Sequence, residues 1–406
     1  MEDARKAAER VARESYGKLI AILAARSRDI AGAEDALNDA LVSALKRWPI
    51  DGVPSNPDAW LLTAARNRMK NVARHQSVRQ ASEPQLAVLA QARPDENSPL
   101  PDERLKLMFV CAHPAIEESV RAPLMLQTIL GLDAARICNA FLVAPATMGQ
   151  RLVRAKAKIR DAKLRFEPPE PHDLPERLSA VLDAIYAAYG VGWDAHGETP
   201  AGTQDLTHEA IYLCRVLVSL LPEEPEPKGL LALMLYCEAR RAARYSPDGA
   251  FVPLERQDAR LWSRDLIIEA EGLLTEASRF RRLGRFQCEA AIQSVHIQRP
   301  ITGATNYNAL LTLYRMLVVA YPSAGAKVGL AAVLIKTGEA AAAMDVLDEI
   351  PTTNSLTYQP YWVARGEAQR ALGMETDAKR SLRRAIELTE TEAVSAFLRA
   401  LVGDRT

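Results

Sequence analysis

An essentially all-α protein is predicted by three features of the 406-residue sequence. Apolar residues recur at helical steps, as in Ala36, Leu37, Ala40, Leu41, Ala44, Leu45 and Trp48, which line one face of a single helix. Alternating apolar and polar runs, the mark of a half-buried strand, are scarce. Beyond residue 320 a repeat of small residues and glycines appears, of the kind that stacked helix pairs require.

Length and composition set the frame. At roughly 150 residues per domain the chain holds two or three domains. With 48% apolar and 25% charged residues it is neither fully disordered, collagenous nor a disulfide scaffold. The longest apolar run, Leu230 to Cys237, falls far short of the roughly 18 residues that span a bilayer, so no membrane association is expected. The start, Met1-Glu2-Asp3-Ala4-Arg5-Lys6, lacks the apolar core of a secretory signal, and a cytoplasmic location is expected. Cys111, Cys138, Cys214, Cys237 and Cys288 are odd in number and widely separated, mostly among apolar neighbours, as buried thiols of a reducing compartment would be.

Charge divides the chain in two. Residues 1–166 carry 26 Lys and Arg against 19 Asp and Glu, and the remainder carries 25 against 32. A basic part followed by an acidic part suits a nucleic-acid reader joined to a protein-facing domain. Two proline-rich stretches mark boundaries. Residues 81–101 hold Pro84, Pro94, Pro99 and Pro101 and read as a linker. Residues 166–175 pack four prolines into a semi-rigid spacer.

Two helices concentrate basic charge. Over 58–79, Trp60, Leu61, Ala65, Met69 and Val72 form an apolar side, while Arg66, Arg68, Lys70, Arg74, His75 and Arg79 appear with no acid between Asp58 and Glu83. That mixture suits phosphate contact and stacking on unpaired bases. Trp60, on the apolar stripe, fits the core equally well. Over 132–163 the pattern is that of a helix-turn-helix: Leu132, Ile137, Ala140 and Phe141 mark a first helix, Leu142-Val143-Ala144 the turn, and Pro145 the first turn of a second helix. In that second helix Met148, Leu152, Ala155 and Ile159 form the buried stripe, and Arg151, Arg154, Lys158 and Arg165 occupy another face. Thr147, Gln150 and Arg151 near its start are candidates for base edges, and Arg154, Lys158 and Lys163 for the DNA backbone.

The repeat beyond residue 320 runs from Ala331-Ala332-Val333-Leu334 through Gly338 to Ala340–Ala343 and Leu347. It recurs about 35 residues later in Ala368, Leu372, Gly373, Ala378, Leu382 and Ala385-Ile386. Small residues there permit close helix approach, a pattern that resembles the tetratricopeptide repeat. Leu283-Gly284-Arg285-Phe286 before Glu289-Ala290-Ala291 reads as a degenerate third unit.

Several segments together resemble a family. Ala33-Glu34-Asp35-Ala36-Leu37-Asn38-Asp39-Ala40, Ala59-Trp60-Leu61-Leu62 with Ala65-Arg66-Asn67, and Ala146-Thr147-Met148 with Arg151-Leu152-Val153-Arg154-Ala155-Lys156 are similar to regions 2 and 4 of bacterial extracytoplasmic-function (ECF) sigma factors. Asp102-Glu-Arg-Leu-Lys-Leu-Met-Phe with His113-Pro114, Leu174-Pro-Glu-Arg-Leu, Leu230-Leu-Ala-Leu-Met-Leu, and Leu254-Glu-Arg-Gln-Asp258 with Trp262 resemble the subgroup with a tetratricopeptide-like C-terminal extension. The resemblance implies region 2 over 1–80, a linker over 81–101, a region 4 helix-turn-helix over 102–166, a Pro-rich linker over 167–175 and the helical extension over 176–406. It further implies that the Glu34–Trp48 helix docks on the β′ clamp helices of core RNA polymerase through Asp35, Asp39, Leu41 and Trp48. Asn56 and the Trp60–Arg74 segment, with Arg66, Asn67 and Lys70, would read and melt the minus-ten promoter element. Region 4 would read the minus-thirty-five element and touch the β flap, and an unidentified protein or ligand would act on the extension.

No GxxxxGK[ST], HExxH or GxSxG motif occurs, so neither catalysis nor a cofactor is expected. Cys111 and His113 fall short of a metal set and read as a buried thiol and a local histidine contact. His208-Glu209 reads as surface helix, and Arg240, Arg241 and Arg244 as structural partners of Glu223, Glu224 and Glu226. The alternative reading, a helix-turn-helix activator with a tetratricopeptide-like sensor domain, leaves 34–79 without a role.

Overall fold

The computed structural model describes residues 2–80, 102–134, 143–164, 172–194, 203–389 and 391–403, together with Ile137, Phe141, Phe166 and Pro169. Every regular element among them is helical, as predicted, apart from one isolated bridge between Tyr245 and Phe251. The chain forms two compact units, Met1–Leu220 and Leu221–Thr406. They part well beyond the proline-rich segment at which the sequence placed the second boundary. The physical reason is that the two helices following that segment pack back onto the first unit. The expected linker 81–101, and Ala140 and Leu142 of the expected helix-turn-helix, lie outside the described residues.

The first unit comprises α1 (Glu2–Glu14), α2 (Tyr16–Ser27), α3 (Ile30–Asp51), α4 (Pro57–Gln80), α5 (Glu103–Cys111), α6 (Glu118–Leu130), α7 (Pro145–Asp161), α8 (Leu174–Asp194) and α9 (Thr203–Leu220). Local chemistry sets the helix starts. Asp29 caps α3, its Oδ1 accepting from the Gly32 N–H at 3.0 Å, and Asp102 caps α5 by accepting from Arg104 N–H at 2.9 Å. Pro145 occupies the first turn of α7, where its missing donor costs nothing. The α2 and α6 backbones meet at Gly17, where a Cβ would fall on the Ile129 carbonyl oxygen. Helices α8 and α9 cover α5 and α6 through an apolar contact among Met108, Met125, Ile129, Ile185 and Leu213. Polar ties frame it: Arg121 Nη1 donates to Glu176 Oε1 at 2.8 Å, and Arg104 pairs with Glu209. Glu209 is therefore half-buried in an ion pair, not a plain surface residue.

The second unit comprises α10 (Pro225–Ala239), α11 (Arg264–Arg279), α12 (Arg285–Ile297), α13 (Arg299–Thr302), α14 (Tyr307–Ala320), α15 (Ala324–Lys336), α16 (Ala340–Asp348), α17 (Thr352–Ser355), α18 (Gln359–Ala371), α19 (Glu375–Glu387) and α20 (Glu392–Val402). The pairs α15–α16 and α18–α19 recur at the predicted period. Gly338 and Gly373 take φ values of 86° and 76° in the corresponding turns, a left-handed conformation that side chains resist. Leu330, Ala331, Leu334, Ala343, Leu347, Ala364 and Ala368 bury the seam between the pairs. At Gly366 a Cβ would crowd Leu382 Cγ at 2.8 Å, so the missing side chain permits the approach of α18 to α19.

Two of the arginines after α10 have structural partners other than Glu223, Glu224 and Glu226. Arg240 Nη2 donates to Gln293 Oε1 at 2.6 Å, and Arg241 Nε to Glu238 Oε1 at 2.7 Å. Glu226 instead accepts from the backbone N–H groups of Phe286 and Gln287 at 3.0 and 3.2 Å, holding the start of α12.

Candidate nucleic-acid and polymerase interface

The first unit gathers the predicted site residues on α3, α4 and α7. Along α3 the buried face is Ile30, Ala33, Ala36, Leu37, Ala40, Ala44 and Trp48, a helical stripe that leaves Asp35, Asn38, Asp39, Val42, Leu45 and Lys46 in solvent. Leu41 is half-buried at the margin. The exposed strip thus combines two carboxylates with the aliphatic side chains of Val42 and Leu45. Trp48 does not belong to it: at 2% exposure it lies inside, its ring edge-on to Trp60 with centroids 5.6 Å apart. The expectation that Trp48 touches polymerase is corrected, because the stripe spacing that identified the helix also turns residue 48 inward. Trp60 is half-buried in the same contact, which ties α4 to the end of α3.

Asn56 immediately precedes α4 and caps it, its Oδ1 accepting from the Ala59 N–H at 3.0 Å. Asn56 thus has a capping role that its sequence position conceals, while remaining exposed. Asn67, Arg68 and Lys70 face solvent on the same helix. Arg68 Nε donates to Asp39 Oδ2 at 2.7 Å, so one of the two α3 carboxylates already bridges to α4. Arg66 is half-buried, with its Nε enclosed and lacking a hydrogen-bond partner, and burial beside Arg26 lowers its pKa. The side chains of Arg74, His75 and Arg79 lie outside the described residues.

On α7, Met148, Leu152, Ala155 and Ile159 are buried as predicted. Thr147, Gln150, Arg154, Lys158 and Lys163 are exposed, and Arg151 is half-buried. The basic residues do not all share the open face. Lys156 is buried, and its Nζ donates to the two Glu34 carboxylate oxygens at 2.8 and 2.6 Å. This pair joins α7 to α3, and charge counting alone could not separate it from the solvent-facing cations. Its only sequence signal is that residue 156 is next to Ala155 on the buried stripe. Arg165 lies outside the described residues.

The remaining titratable candidates are structural. Burial pushes the Cys111 thiol up to about 12, with Thr128 Oγ1 at 3.8 Å, and His113 Nδ1 accepts from the Ala115 N–H at 3.0 Å. Cys214 and Cys288 are also buried, Cys237 is half-buried, and Cys138 lies outside the described residues. Among the described residues no group of three or more His, Cys, Asp or Glu side chains could hold a metal ion, and no helix is long and apolar enough to cross a membrane.

Residues 11–79, from α1 to α4, match the model of Sigma-70 region 2. That domain supports an RNA polymerase sigma factor with a role in transcription initiation, and implies binding to core polymerase and promoter DNA. Over 381 residues the chain is 36% identical to "Uncharacterized protein R00370" of Rhizobium meliloti (strain 1021), covering 92% of this chain and 89% of that protein, and it belongs to the same family. Residues 177–278 match a family of unknown function (DUF6596), a span that runs from α8 to α11. No solved structure matches the chain.

Proposed function

We propose that the chain is a sigma factor of the extracytoplasmic-function type that binds core RNA polymerase and directs it to promoters carrying two recognition elements. The observation that carries this reading is the region 2 match over α1–α4, whose α3 offers the exposed Asp35 and Asp39, with half-buried Leu41 at their margin, to the β′ clamp helices. Asn67, Lys70 and Arg74 on α4, with Arg66 and the Asn56 loop, engage the minus-ten element. Flipping a base out of the duplex costs a few kcal/mol, and contacts from this basic helix offset it.

Region 4 occupies 102–166, and α7 is its recognition helix. Thr147, Gln150 and Arg151 at the start of α7 read base edges in the major groove of the minus-thirty-five element, while Arg154, Lys158 and Lys163 follow the phosphates. The same region touches the β flap. The 35-residue repeat and its left-handed glycines support a tetratricopeptide-like extension that regulates or supports initiation. The role is one of binding without a cofactor, exercised in the cytoplasm where polymerase acts.

Run-off transcription with purified core polymerase and a pool of genomic promoter fragments tests the proposal. Discrete transcripts that require this protein are expected. DNA binding without any transcript would point to an activator and overturn the sigma reading.

A further inference from the structure

On α7 the row of residues opposite the buried stripe is not basic. Ala146, Gln150, Val153 and Ala157 follow one another at the same steps as Met148, Leu152, Ala155 and Ile159, on the other side of the helix. Ala146, Gln150 and Val153 are exposed and Ala157 is half-buried, while Arg154 and Lys158 flank the row on one side and Arg160 on the other. Val153 stands out among them, an aliphatic side chain 68% exposed. It has no part in the core, and a β-branched residue weakens an exposed helical turn, so neither packing nor helix formation accounts for it. Gly149 lies one turn before it, with open space where a side chain would stand.

We infer that Val153, with the bare backbone at Gly149 beside it, seats the C5 methyl group of a thymine in the major groove, so that α7 selects a T·A pair at a position its charged residues do not set. The inference rests on the reading of α7 as the recognition helix of region 4. A helix entering the groove presents the face turned away from its own core, and the row containing Val153 is the middle of that face. Along the base edges of the major groove the thymine methyl is the apolar feature, and all the others are hydrogen-bond donors or acceptors. The Val153 side chain can neither donate nor accept, so a donor or acceptor set against it would lose its water without a new partner. Gln150, one turn earlier, has the amide that pairs with an adenine edge, which places an A·T pair next to the methyl seat. Charge therefore holds α7 to the phosphates on either side, and the uncharged centre of its face distinguishes the bases.

The test is binding of a promoter fragment, chosen by the run-off experiment, to the full chain assembled with core polymerase. Each thymine of the minus-thirty-five element is replaced in turn by deoxyuracil, which removes the methyl group alone. One replacement should weaken binding of the natural protein about fourfold, the effect of one buried methyl group. Val153→Ser leaves the buried stripe of α7 intact and should make the complex indifferent to that replacement. Gly149→Leu fills the seat from the other side and should erase the same preference. A scan without any methyl-sensitive thymine, or a thymine that stays sensitive in either variant, overturns the inference while protein-dependent transcripts uphold the sigma reading. Absence of those transcripts overturns both.

Discussion

Lys156 of α7 places its ammonium 2.6 and 2.8 Å from the two carboxylate oxygens of Glu34 on α3, with both side chains largely out of solvent. Removing one member of such a pair strands the other charge. Lys156→Met should therefore cost about 3 kcal/mol, and the further change Glu34→Leu should recover most of it. Urea unfolding of the two variants checks this.

The same pair has a pH signature. Burial, the largest influence, raises the Glu34 pKa above its ordinary 4.5, while Lys156 opposes the shift. A carboxyl raised on folding favours the folded state below 4.5 and loses that contribution as the pH climbs through its folded value. Lys156→Met removes the opposing influence and raises that value further. The stability gap between natural protein and variant should be small below 4.5 and widen toward neutrality. Unfolding curves across that range, with a constant gap as the contrary result, decide the matter.

Gly17→Ala puts a methyl group onto the Ile129 carbonyl oxygen, where two helix backbones touch. Relief requires α2 and α6 to separate, at a cost of about 3 kcal/mol. A lowered thermal midpoint is expected, whereas Gly149→Ala, with open space around its site, should leave the midpoint unchanged or raised.

Gly338→Ala and Gly373→Ala place a Cβ on left-handed backbone in equivalent turns of the repeat. Each should cost about 1–2 kcal/mol, and the two costs should match. Differential scanning calorimetry measures both. Strongly unequal losses would show that the turns are not equivalent.

Arg151→Ala should weaken DNA binding by about 1–3 kcal/mol and relax preference at one base pair. Lys158→Ala should weaken binding to all sequences alike and flatten the salt dependence. Competition binding over a randomised minus-thirty-five element separates the two patterns.

Much of this fold was legible in residue spacing. The Pro145 start of α7, the buried side of α7 and the glycine-punctuated repeat follow from local rules that the tertiary structure obeys, and so does the α3 stripe except at its edge, where Leu41 is half-buried and Leu45 exposed. What spacing could not supply were pairings across long separations. Lys156 carries the same charge as its exposed neighbours, and only Glu34, far away in the chain, distinguishes it. Asn56 reads as a polar loop residue until its bond to Ala59 is seen. Trp48 satisfies a resemblance and a helical stripe at once, and the stripe decides where it points. Prolines at 166–175 report where a helix stops, not which core the next helix joins: the DUF6596 match begins at residue 177, just past them, while α8 and α9 pack into the first unit.

That last point constrains how such a chain can be inherited. A recombination seam at the proline-rich segment would strip α8 and α9 from α5 and α6, leaving Met108, Met125 and Ile129 bare to water and the offspring chain prone to aggregation. A seam just past Leu220 leaves that core whole. A chain cut after Leu220 should therefore stay soluble, whereas one cut at the proline-rich segment should not.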